Sequence, residues 1–135
     1  MLERFSIAIE KQLLVKFDAF ISRRKYKTRS EAIRDLIRAS FVKDEWTGNE
    51  EVVGIITLTY DHHSSRLLER IMEVQHSHVH NIISTMHIHL DHDNCLESII
   101  TKGRSRDIRD LSDKLISLKG VKTGNLSMTS TGVKL

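Results

Sequence analysis

The chain has a single cysteine, few aromatic residues and no long apolar run, and each shortage excludes something. One cysteine, Cys95, rules out an internal disulfide, and a thiol left reduced is expected of a cytoplasmic protein. No stretch approaches the roughly 18 consecutive apolar residues of a membrane-spanning helix, so no membrane role is expected. Glu3 and Arg4 interrupt the start, and no apolar segment of the secretory kind follows them. Aromatics are only 5% of the 135 residues, yet hydrophobic residues reach 39%, enough to pack the core of one domain or two small ones. That length excludes a multidomain enzyme, and the expectation is a soluble, intracellular, globular protein.

Charge is present but unevenly placed. The net charge is +3, with 11 Lys/Arg against 7 Asp/Glu in residues 1–48 and 10 against 11 in residues 49–135. All eight histidines lie between His62 and His92. A basic half and a half rich in metal-type ligands imply two tasks, one facing a polyanion and one facing a cation.

In the first half, RFSIAIE alternates strictly, with Phe5, Ile7 and Ile9 on one side and Arg4, Ser6 and Ala8 on the other. Period two predicts a half-buried strand. The spacing of Leu13, Phe17, Phe20 and Ile21 predicts a helix ending near Arg24. TRSE then has the form of a capping box, Thr28 with Glu31 three residues on, opening a second helix whose stripe of Ile33, Leu36, Ile37 and Phe41 runs to about residue 43. A strand and two helices cannot bury a sufficient core alone, and a lone strand leaves its edge open. Pairing two chains through antiparallel strands solves both problems. Such a ribbon presents Arg4, Ser6 and Ala8 outward and fits the major groove of DNA. The basic run Arg23, Arg24, Lys25, Lys27 and Arg29 precedes the second helix, whose free N–H groups suit a phosphate. Residues 1–48 thus resemble a ribbon-helix-helix (βαα) DNA-binding domain.

A polar linker is expected around WTGNEE (46–51). After it, VVGIITLTY predicts a strand, SSRLLERIMEVQH a helix capped by Ser64 or Ser65, HNIISTMHIHL a strand, and CLESIITK its returning partner. RSRDIRDLSDKLISLKG predicts a helix with Gly120 as its C-cap, and VKTGNLSMTS a last strand. The order over residues 49–135 is βαββαβ, ferredoxin-like, so the fold class is α+β. One face of such a sheet lacks helix cover, which argues for an oligomer.

The stretch MHIHLDHDNC concentrates the chemistry. On a strand through residues 80–90, His87 and His89 share a face, and Cys95 starts the neighbouring strand across a short turn. Two imidazoles and a thiolate suit a tetrahedral zinc ion or a square-planar nickel or copper ion. A fourth ligand is missing locally, with His76, His78 and His80 as candidates. Glu97 is placed to orient a ligand. No glutamate stands at HExxH spacing, so a hydrolytic zinc enzyme is not supported and no catalytic residues are expected.

Both halves in this order resemble the nickel-responsive regulator family, a ribbon-helix-helix domain fused to an ACT-type metal-binding domain. The resemblance rests on RSEAIRD, QHSHVH and HIHLDHDNCLE and covers nearly the whole chain. It implies a homotetramer, a dimer of dimers, that binds Ni(II) and then represses genes for nickel uptake or use by binding operator DNA. On this sequence it implies the ligands His87, His89 and Cys95 of one subunit with His76 of another. It also implies base contacts from Arg4, Ser6 and Ala8, and a phosphate near Arg29 and Ser30. Two departures are Ala8, often polar in the family, and Lys25, where glycine is common. Glu31 and Asp35 hold a further cation in the family or form a solvated helix face. Some members of the family use residues placed like His62, His63, His78, His80 and His92 for weaker or alternative metal binding; here they are read as surface residues or as neighbours of the ligands. The competing readings are a metal store or chaperone, and a regulator answering to another metal or to an amino acid.

Overall fold

The computed structural model describes residues 1–135 and divides into two compact units, Met1–Ser40 and Phe41–Leu135. In the first, α1 spans Lys11–Arg23 and α2 begins at Arg29. The turn between them passes through Lys25 at φ 60°, a left-handed conformation that favours glycine. One half of the expected capping box forms, Thr28 Oγ1 accepting the Glu31 N–H at 3.1 Å, while the Glu31 carboxylate accepts the N–H of Lys27, one residue before the cap, at 3.3 Å. Arg29 donates two parallel hydrogen bonds of 2.9 Å to Asp18, tying the start of α2 to α1.

Residues 1–10 form no regular element, so the strand expected there is absent from the single chain. The reason is physical: a strand exists through ladder hydrogen bonds, and this unit supplies no second strand. Phe5 and Ile7 are left exposed, and Ala32 is the unit's one buried residue.

The second unit holds the expected βαββαβ order: β1 Glu51–Asp61, α3 Ser65–Ser77, β2 Ile82–His89, β3 Asn94–Arg104, α4 Ser105–Ile116 and β4 Val121–Thr129. The sheet order is β2-β3-β1-β4, and every pair is antiparallel. Residues 79–81 are a 3₁₀ turn, so β2 starts two residues later than its alternation implied. β1 buries Val52, Ile56, Leu58 and Tyr60 on one face, where Leu67 and Ile71 of α3 and Leu111 and Leu115 of α4 close the core. Ser64 caps α3 by accepting the Leu67 N–H at 3.4 Å. α4 ends earlier than expected, with Ser117 as its cap, and Gly120 instead takes a φ of 105° in the turn into β4. On the opposite sheet face Met86, Ile88 and Ile100 are exposed.

The polar linker also needs correction. α2 runs to Thr47, past the end of its apolar stripe, and Trp46 is only 3% exposed. Its indole packs with Val52 and Ile108, its Nε1 donates to the Thr129 carbonyl at 2.8 Å, and its own carbonyl accepts from Ser105 Oγ at 2.6 Å. Gly54 makes room for it: a Cβ there would lie 3.1 Å from the Trp46 ring and 2.8 Å from Ile108. Only the turn beyond Thr47 remains as a linker, with Asn49 at φ 54°.

Candidate metal centre

The register of the β2–β3 hairpin builds the centre. His87 stands opposite Glu97, and His89 opposite Cys95. Directly opposed residues share a face, so all four point to the helix-covered side. Cys95 and Glu97 are 1% and 2% exposed, while His87 and His89 lie towards solvent on the edge strand. Asp91 shapes the hairpin turn, its Oδ1 accepting the N–H groups of Asp93 and Asn94 at 2.9 and 2.8 Å. These bonds, the Asn94 side chain's foremost, hold the Asp91 carboxyl below its ordinary range.

Glu97 organises the interior of the site. It accepts hydrogen bonds from the Tyr60 hydroxyl and the Gln75 amide, both at 2.9 Å, and faces His87 Nε2 at 3.0 Å. Burial, followed by the Glu97 charge, pushes the Tyr60 phenol well above its usual value, so it remains a donor. A carboxylate this close to Nε2 favours a proton on that nitrogen, the tautomer whose Nδ1 lone pair is free. Nδ1 is the atom that faces Cys95, 3.8 Å from Sγ. A single ion bonded at about 2.0–2.1 Å to nitrogen and about 2.3 Å to sulfur can touch both atoms. The donor set therefore fits a borderline metal ion.

The other expected residues are distributed as follows. His89 meets the edge of the His62 ring, with centroids 4.8 Å apart. His76 is exposed on α3, next to the inward-facing Gln75. Successive helix residues are turned by about 100°, so His76 does not share the direction of Gln75. His78 is engaged elsewhere: its ring lies 3.1 Å from the Val74 carbonyl and 3.3 Å from Asp110, at the end of α3. In the first unit, Asp35 accepts from the Tyr26 hydroxyl at 2.8 Å and lies 3.8 Å from Arg38, so Glu31 and Asp35 both have partners within that unit. Arg4 and Ser30 border a hollow of about 490 Å³ with Phe5, Ile7, Ile33 and Ile37. Ser6 and Ala8 are exposed. The sequence reading missed Tyr60 and Gln75. Tyr60 stands in a strand of apolar residues and Gln75 at a helix end, and only the fold brings them to Glu97.

Fold and donors together define a small βαββαβ domain equipped to hold a metal ion. An uncharacterized protein of Thermotoga maritima shares the fold, with a TM-score of 0.53 and 18% identity over 58% of this chain and 98% of that one. Residues 53–129 match the family described as the NikR C terminal nickel binding domain. A protein of Desulfotalea psychrophila named "Putative nickel-responsive regulator" is 53% identical over 100% of this chain and 99% of its own. A protein of the same name from Pyrococcus horikoshii is 50% identical over 98% and 96%. The chain belongs to the nickel-responsive regulator family, whose ligand is nickel. No helix is long and apolar enough to cross a membrane.

Proposed function

We propose that the chain is a nickel-dependent transcriptional repressor of the cytoplasm, working as a homotetramer on operator DNA. The observation that carries this reading is the pairing of the His87 Nδ1 lone pair with the buried Cys95 thiol. His87, His89 and Cys95 hold Ni(II) in this account, with His76 from a second subunit as the fourth ligand. An exposed His76 is what a donor to a neighbour's site requires. The apolar residues left exposed in the first unit support a dimeric ribbon-helix-helix domain. A second chain's strand would pair with residues 4–10, covering Phe5 and Ile7 and turning Arg4, Ser6 and Ala8 to the bases.

In this reading Ser30 lies near a phosphate at the start of α2, while the Asp18 pair fixes the direction of Arg29 beside it. Glu31 and Asp35 hold a further cation only if Asp35 gives up its contact with Tyr26. Nickel supplies a bond between subunits. The residues around it act beforehand: Glu97 fixes the His87 tautomer, and Tyr60 and Gln75 fix Glu97. Metal binding then favours those arrangements of the tetramer that fit two half-sites on DNA, in proportion to its differential affinity for them.

The test is selection from a random-sequence duplex library with metal-free and with nickel-loaded protein. The reading expects enrichment of one palindromic sequence with nickel alone, lost on Arg4→Ala with Ser6→Ala. Equal enrichment without nickel would leave a DNA binder that is not switched by it. No enrichment in either state would support a metal store.

A further inference from the structure

α2 runs across the boundary between the two units, and its last turns belong to the second one. Those turns lie beyond the helix's own apolar stripe, yet Glu45 and Trp46 are buried there. The residues that follow β4 fasten them. Trp46 Nε1 donates to the carbonyl of Thr129, the last residue of β4. The Glu45 carboxylate accepts from the Ser130 hydroxyl, 2.9 Å at Oε2 and 3.3 Å at Oε1, and no other side chain donates to it. Ser130 Oγ accepts the Gly132 N–H at 3.0 Å, Gly132 takes a left-handed φ of 82°, and the Leu135 N–H donates back to the Gly132 carbonyl at 3.2 Å. Lys134 Nζ then reaches Glu50, just past the helix end, at 2.7 Å. Thr131 and Val133 border a hollow of about 260 Å³ with Glu51 and Arg104, so the tail is fastened at a few points and not packed into the core.

We propose that residues 130–135 are a strap that keeps the last turns of α2 wound, and that the strap thereby sets the length of the connection between the two units. A helix end holds its shape in water chiefly through packing and not through its own hydrogen bonds. With the strap closed, the buried Glu45 carboxylate has its donor. With the strap released, that charge is left unpaired in a place closed to water, and the helix end unwinds to hydrate it. Residues 41–47 rise about 1.5 Å each as helix and up to about 3.3 Å each when extended, so release roughly doubles the reach of this segment. The sheet survives release, because β4 keeps its own ladder with β1. One consequence rests on the repressor reading: the reach limits which separations of two DNA half-sites one molecule can span.

The experiment compares amide hydrogen exchange in the full chain and in its double variant Ser130→Ala with Lys134→Ala, both without metal. The N–H groups of residues 41–47 should exchange about 5- to 30-fold faster in the variant while those of β1 and β3 are unchanged. Emission from Trp46, the one tryptophan, should shift to longer wavelength. Ser130→Thr alone, which keeps the hydroxyl, should leave exchange slow. Unchanged exchange over residues 41–47, or equal acceleration in β1 and β3, overturns the strap. The consequence for DNA is read by duplex selection with nickel-loaded protein, where the full chain should enrich one half-site separation and the double variant several. One separation from both overturns the strap's part in DNA reading. No enrichment by the full chain overturns the repressor reading and leaves the strap to the exchange result.

Discussion

The most informative single residue is Glu97. Its carboxylate, closed to water, accepts from Tyr60 and Gln75 and lies 3.0 Å from His87 Nε2. Glu97→Gln turns an amide N–H₂ towards those donors. It should destabilise the fold by about 1–3 kcal/mol, the range for a buried polar group left unmatched. It should also weaken nickel binding roughly 10- to 100-fold, as loss of a ligand's hydrogen-bond partner commonly does. Chelator competition and denaturant titration of one variant measure both effects. Unchanged affinity would show that the His87 tautomer does not depend on Glu97. Lys25 offers a simpler test at the same scale. Its left-handed φ of 60° costs a side-chain-bearing residue about 1–2 kcal/mol, offset in part by the greater freedom that glycine loses on folding. Lys25→Gly should therefore raise stability by up to about 1 kcal/mol, as read from urea unfolding.

Among the elements, α1 and α2 are joined by the Asp18–Arg29 pair, whose hydrogen bond holds the Asp18 carboxyl below its ordinary value of 3.8. A lowered folded value gives stability that is present above the ordinary carboxylate range and lost as pH falls through the folded value. Asp18→Asn should thus flatten the fall in melting temperature on acidification below about pH 4, and equal slopes would dismiss the pair. In the second unit, Trp46 locks the end of α2 to the sheet, and Trp46→Ala should cost about 3–5 kcal/mol by the precedent of large core truncations. The sheet and its helices were legible in the sequence because VVGIITLTY is a β-branched run, while Ile108, Leu111 and Leu115 recur at helical spacing. Trp46 was not legible, since one aromatic in a polar string shows no period. The N-terminal strand was legible as a pattern only, for its partner does not lie in this unit. Of the candidate centre, His87, His89 and Cys95 could be read from strand alternation. The route from Gln75 through Glu97 to His87 needs the packing of α3 on the sheet.

For the molecule as a whole, the end of α3 is the decisive place. At that end Gln75 donates to its own chain's Glu97 while His76 is exposed, and the proposed intersubunit site makes His76 the ligand of a neighbouring chain. The direct test mixes two variants, His76→Ala and Cys95→Ala, by unfolding and refolding them together in equal amounts. Each variant alone should lack the thiolate-to-nickel absorption of the complete site. Random pairing should restore roughly a quarter of the wild-type signal, because some sites then combine an intact cysteine with an intact histidine from another chain. A mixture as blank as its two components, or full absorption from His76→Ala alone, would contradict a nickel site shared between subunits.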